Sequence, residues 1–199
     1  MSWHRETSNY AYEILWRASK TAIRAASAEN ARDDHLAIHA LLCGFLAFEG
    51  FINFVGSEIA PDAREDERAF FSKNPYRGIL GKVEYLFSLF PPGLLKKGEE
   101  PFESVRKLNS TRNALAHNRV VTRMEISESE DPNWFVPWED FDSTAKVAAA
   151  LEKLQSFADT VRLEALKLCR QNSAETYDLH LNFEAFAGPV GSAMGHQGG

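Results

Sequence analysis

The chain has 199 residues, 44% of them hydrophobic and 25% charged, with a formal net charge of −6. It is long enough for one well-cored domain, and too acidic overall to hold a polyanion unless positive charge is concentrated locally. Two cysteines, Cys43 and Cys169, exclude a disulfide framework and a CxxC metal pair; the start MSWHRETSNY lacks an apolar run after a basic segment, so a cytoplasmic setting is expected.

Periodicity predicts a first helix over 6–29, with Tyr10, Ile14, Ala18, Thr21, Ala25 and Ala28 on one face. A second helix is expected from about 32 to 59, its first turn carrying acids where the helix dipole favours them, and Pro61 ends it. Within it, 36–56 is about as long as a membrane span. That stretch contains His39, Glu49 and Asn53, and a carboxylate at mid-membrane costs about 2.5–3.5 kcal/mol. The expectation is therefore the central helix of an all-α core, with no membrane partner.

A short helix is expected in DAREDERAFF. Ile79, Leu80, Val83, Leu86, Phe87 and Phe90 form the stripe of a third long helix, stopped by Pro91, Pro92 and Gly93. After the loop LLKKGEE, Pro101 suits the first position of a fourth, which runs to about 118. The β-branched and aromatic runs RVVTRMEI and NWFVPW predict a small β excursion beyond it. Val147, Leu151, Leu154, Ala158, Val161, Ala165 and Leu168 predict a long helix over 142–171 with a seam for another helix. The expected fold is all-α, an antiparallel bundle of about five helices. It forms one domain over 1–175, followed by an extension over 176–199 whose glycine-rich end is expected to be disordered.

The fourth helix poses a chemical question. At about 100° per residue, Arg112 falls on the face of Val105 and Leu108, while Asn109, Asn113 and His117 gather on another side. His117 lies about 140° round from Arg112 and roughly 7.5 Å along the axis. A guanidinium aimed at a core cannot shed its charge and needs a desolvated acceptor. Glu49, the one carboxylate in 36–56, is the expected partner, with Asn53 one turn on completing the network. A buried pair predicts a loss of about 3–5 kcal/mol on Glu49→Ala. The bland account is a structural ion pair and a dipole-complementing histidine with no chemistry.

The segment STRNALAHN resembles the Arg-polar-x-x-x-His motif of the HEPN domain family, and LLCGFLAFEGFINFVG resembles that family's second core helix, including its glutamate. The resemblance implies a metal-independent endoribonuclease, without cofactor, working as a homodimer with both motif helices at one cleft. It further implies a toxin or antiviral defence effector, with an antitoxin or other regulatory protein as a partner. Catalysis would rest on Arg112, His117 and Asn113, supported by Glu49, Asn53 and Asn109. Arg106, Lys107, Arg119 and Arg123 would join Arg112 in steering RNA, since 104–124 holds five cations and no acid.

Two other readings compete. HEPN-like domains also serve as non-catalytic dimeric binding or regulatory modules, and a guanidinium fully enclosed by Glu49 would favour that role. His35 and His39, at i and i+4 with Asp34 nearby, make a weak metal site for want of a third ligand. Dinucleotide-binding, serine-hydrolase and P-loop signatures are absent.

Overall fold

The computed structural model describes residues 11–28, 34–65, 67–116 and 139–172. These residues form α1 (Ala11–Ala26), α2 (Asp34–Ile59), α3 (Pro61–Glu65), α4 (Glu67–Phe70), α5 (Gly78–Ser88), α6 (Phe102–Ala116) and α7 (Thr144–Asn172), with a single 3-10 turn at Glu139–Phe141. Among the described residues the architecture is all-α, with no strand. The expected β excursion and the C-terminal extension lie outside them.

α2 is the hub. It packs most extensively against α1, then against α7, and also touches α3, α5 and α6. Its apolar composition follows from this position, because Leu41, Phe45, Phe48, Phe51, Ile52 and Val55 are all buried toward one neighbour or another. The helix is long and apolar enough to cross a membrane, yet more than half of its most apolar stretch is buried inside the protein.

The first helix turns a different face inward from the one its sequence suggested. Tyr12, Trp16, Ser19, Ala22, Ile23 and Ala26 are buried, whereas Ile14 is 61% exposed and Thr21 and Ala25 face solvent. Burying Tyr12 and Trp16 removes far more apolar area from water than burying Ile14 and a row of alanines, so the aromatic stripe decides the rotation. Ser19 goes in with them at no loss, because its hydroxyl donates to the Ala40 carbonyl at 2.7 Å. Opposite it, Gly44 lets three helices converge: a Cβ there would run into Leu151 of α7 and Ser19 of α1.

α7 carries the seam predicted for it. Val147, Leu151, Leu154, Ala158, Val161 and Ala165 are buried, and α7 packs on α2, α6 and α1. The seam is therefore occupied within the protomer over most of its length, with Leu168 at its end partly buried. Four helices meet at Phe157 of α7, whose ring centroid lies 5.9 Å from Phe48 of α2, 5.2 Å from Phe87 of α5 and 6.3 Å from Phe102 of α6. This aromatic junction fixes α6 relative to α2, and so sets where the polar residues of α6 emerge.

Candidate active site at the end of α6

α6 begins on a polar clamp. Glu100 accepts hydrogen bonds from the Ser104 amide at 3.3 Å and the Ser104 hydroxyl at 2.6 Å, and its other oxygen takes the Lys153 ammonium at 2.8 Å. Burial works to raise the Glu100 pKa, but the bonds from Lys153 and Ser104 outweigh it and hold the carboxyl below its ordinary value. The helix is thus tied to α7 at its N-terminal end, and Phe102, Ser104, Val105, Leu108 and Thr111 are buried along its first three turns.

From Arg112 onward that inner face emerges from the core. Arg112, Asn113, Ala114 and Leu115 are half-buried and Ala116 is exposed. The angular reckoning put Arg112 on the correct side of the helix. Its position along the axis, close to the helix end, decides that it is only partly covered.

The predicted pair forms. Arg112 Nη2 donates to Glu49 Oε2 at 3.0 Å, and the two side chains retain 27% and 30% exposure. The pair is half-buried, not enclosed. Arg112 Nη1 donates to Asn113 Oδ1 at 2.9 Å, and Asn113 Nδ2 reaches Asn109 Oδ1 at 3.5 Å. Glu49, Arg112, Asn113 and Asn109 therefore form one chain of hydrogen bonds on adjoining faces of α2 and α6. Among the described residues, one carboxylate oxygen engages the guanidinium, and two of its five N–H groups take part.

Asn53 does not complete this network. Its Oδ1 accepts from Lys82 Nζ of α5 at 2.7 Å. At i+4 from Glu49 it shares the face of α2, but it lies about 6 Å further along, where α5 rather than α6 is the neighbour. Lys82 was missed in the sequence reading, because a polar contact across 29 positions leaves no local signature.

Two of the residues assigned to RNA steering have carboxylate partners. Arg106 donates through Nε and Nη2 to Glu103 at 2.9 and 2.7 Å, and Lys107 lies 3.2 Å from Asp140. Glu103 sits just before the acid-free stretch and Asp140 far beyond it, so a window along the sequence overstates the positive charge in space. His117, Arg119 and Arg123 lie outside the described residues. No family model matches the chain, and no curated protein or solved structure matches it.

The other polar cluster considered from sequence sits near the start of α2. His39 Nε2 is 3.3 Å from Cys43 Sγ, and burial raises the Cys43 thiol pKa, which opposes nucleophilic use. Among the described residues, no three His, Cys, Asp or Glu side chains converge in a way that could hold a metal ion.

Proposed function

We propose that the chain is a metal-independent endoribonuclease of HEPN type, cleaving RNA at a site shared across a homodimer, in the setting of a toxin or defence effector. The observation that carries the reading is the state of Arg112. The guanidinium is anchored through one N–H to one oxygen of Glu49 and remains about a quarter exposed. An arginine held in this way is pre-oriented, and it retains donors for a phosphate.

In this reading His117, as neutral imidazole, accepts the proton of a ribose 2′-hydroxyl. The freed oxygen attacks the adjacent phosphorus, the bond from phosphorus to the 5′-oxygen breaks, that oxygen takes back the proton held by the imidazolium, and a 2′,3′-cyclic phosphate remains. Arg112 stabilises charge on the pentacoordinate phosphorus. Asn113, bonded to Arg112 and through it to Glu49, keeps the guanidinium in register.

The neutralisation of Arg106 by Glu103 and of Lys107 by Asp140 favours a second reading, a non-catalytic HEPN-like dimeric module, since it removes positive charge from beside the motif. One experiment separates the two. Purified protein is incubated with mixed RNAs in EDTA beside His117→Ala and Arg112→Lys, and the product ends are analysed. The nuclease reading expects wild-type cleavage to cyclic phosphate ends, no cutting of DNA, and loss of cleavage in both variants. Equal cleavage by His117→Ala, or none by wild type, would leave the binding module.

A further inference from the structure

A cleft opens one turn beyond Glu49 on the same face of α2. Its floor is shallow because α2 presents Gly56 and Ser57 there, followed by Ala60, and across it stand Lys82 and Tyr85 of α5 and Phe71. The cleft is small, about 30 Å3, and partly open to solvent, so a group larger than a few waters would lie across its mouth.

The segment beside the cleft is held in a defined shape. The Gly78 amide donates to the Phe71 carbonyl at 3.0 Å, Gly78 adopts a φ of +67°, and a Cβ at Gly81 would overlap the Tyr76 backbone. This packing gathers Phe70, Phe71, Tyr76 and Tyr85 into one cluster with neighbouring ring centroids 4.9–5.9 Å apart. Phe70 is 40% exposed, and Lys82 Nζ lies 5.2 Å from the Phe71 ring centre.

Residues 69–83 carry Lys73, Arg77 and Lys82 and no acid, and the next acid, Glu84, is paired with Lys97 at 2.8 Å; on the other side of the cleft the sequence is acidic, with Glu58 and Asp62 next to lining residues, so Lys82 is the cation that the cleft itself supplies. Partly exposed rings interleaved with cations are how proteins hold single-stranded nucleic acid: the rings take base faces and the cations follow the phosphates. The cleft also holds a group able to read a base edge. Asn53 accepts from Lys82 through Oδ1, and its Nδ2 has no partner among the described residues.

We propose that the mouth of this cleft receives one unstacked base of single-stranded RNA, the base flanking the scissile position, with Lys82 meeting its phosphate. The placement beside the scissile position rests on the ribonuclease reading of Arg112. The binding itself does not. Asn53 stands about 6 Å from Glu49 along α2, close enough for a single strand to occupy both places.

Binding is read with a fluorescent single-stranded 2′-O-methyl RNA, which lacks the attacking hydroxyl and cannot be cut by the proposed chemistry. Anisotropy is measured for wild type, Lys82→Met and Gly56→Leu, with circular dichroism to confirm equal helix content. Both variants should weaken binding about tenfold, Lys82→Met with a shallower salt dependence and Gly56→Leu with an unchanged one. Affinity for duplex RNA, whose bases are stacked away, should be the same in all three proteins. Failure of wild type to bind the single strand, wild-type affinity in both variants, or an equal loss on duplex RNA overturns the proposal. If wild type cuts no unmodified RNA yet the variants lose single-strand binding, the nuclease reading fails and the cleft stands. If RNA is cut but the variants bind normally, the cleft fails alone.

Discussion

Removing the carboxylate of Glu49 tests both the energetics and the purpose of the Arg112 pair. Breaking a fully buried ion pair from one side costs about 3–5 kcal/mol, and a fully exposed pair contributes about 0.2–1 kcal/mol. With 27% and 30% exposure and a single N–H···O contact at 3.0 Å, this pair falls between those limits. Glu49→Ala should therefore destabilise the protein by about 2 kcal/mol, below the value expected of an enclosed pair. A double-mutant cycle with Arg112→Ala should return a coupling of about 1–2 kcal/mol. Urea denaturation at neutral pH measures both, with an unchanged slope required for the comparison. A coupling under about 0.3 kcal/mol would show that the contact is incidental, and a Glu49→Ala loss above about 4 kcal/mol would show that Arg112 is enclosed after all. Either result refutes the argument that this guanidinium is anchored and still available.

Two further expectations concern the frame that carries the site. Gly44→Ala should cost about 1–3 kcal/mol in urea denaturation, because its Cβ meets Leu151 and Ser19. Gly56→Ala, whose Cβ has only Leu86 Cδ2 at 3.8 Å, should be neutral or stabilising, and the reverse order would contradict the packing described at the two glycines. Because the Glu100 pKa is depressed in the folded protein, the clamp on α6 contributes stability above the ordinary carboxyl range and loses it as pH falls below about 4.5. Glu100→Gln should thus lower the melting temperature at neutral pH by a few degrees at most, since Glu100 is half exposed, and the deficit should shrink in acid; a deficit that grows in acid reverses the sign of the argument.

The long elements were legible because each carries enough apolar periodicity to identify itself. The stripes of α5 and α7 were read residue by residue, and the pairing of Glu49 with Arg112 followed from two charges stranded in otherwise apolar contexts. What sequence could not supply was depth along an axis. Helical angle places Arg112 correctly around α6, but how deeply each turn of α6 is covered is a property of the assembled bundle. The rotation of α1 escaped for a related reason: two overlapping stripes were available, and side-chain area, rather than the count of apolar positions, chose between them. Asn53 went to Lys82, and Lys107 to Asp140, because tertiary neighbours outbid sequence neighbours for polar groups.

The gradient of burial along α6 gives that helix the mechanics of a cantilever. Its root is clamped by Glu100, Lys153 and the Phe157 junction, whereas among the described residues its far end is tied to α2 through Arg112 and Glu49. Amide exchange should be slow over 102–111 and progressively faster toward 116, because opening the last turn exposes little core. Core packing and polar contacts are thereby separated along a single helix: its first three turns carry the buried apolar face, and its last described turn carries Arg112 and Asn113, so a ligand engaging that turn would stiffen it without any movement of the bundle behind it.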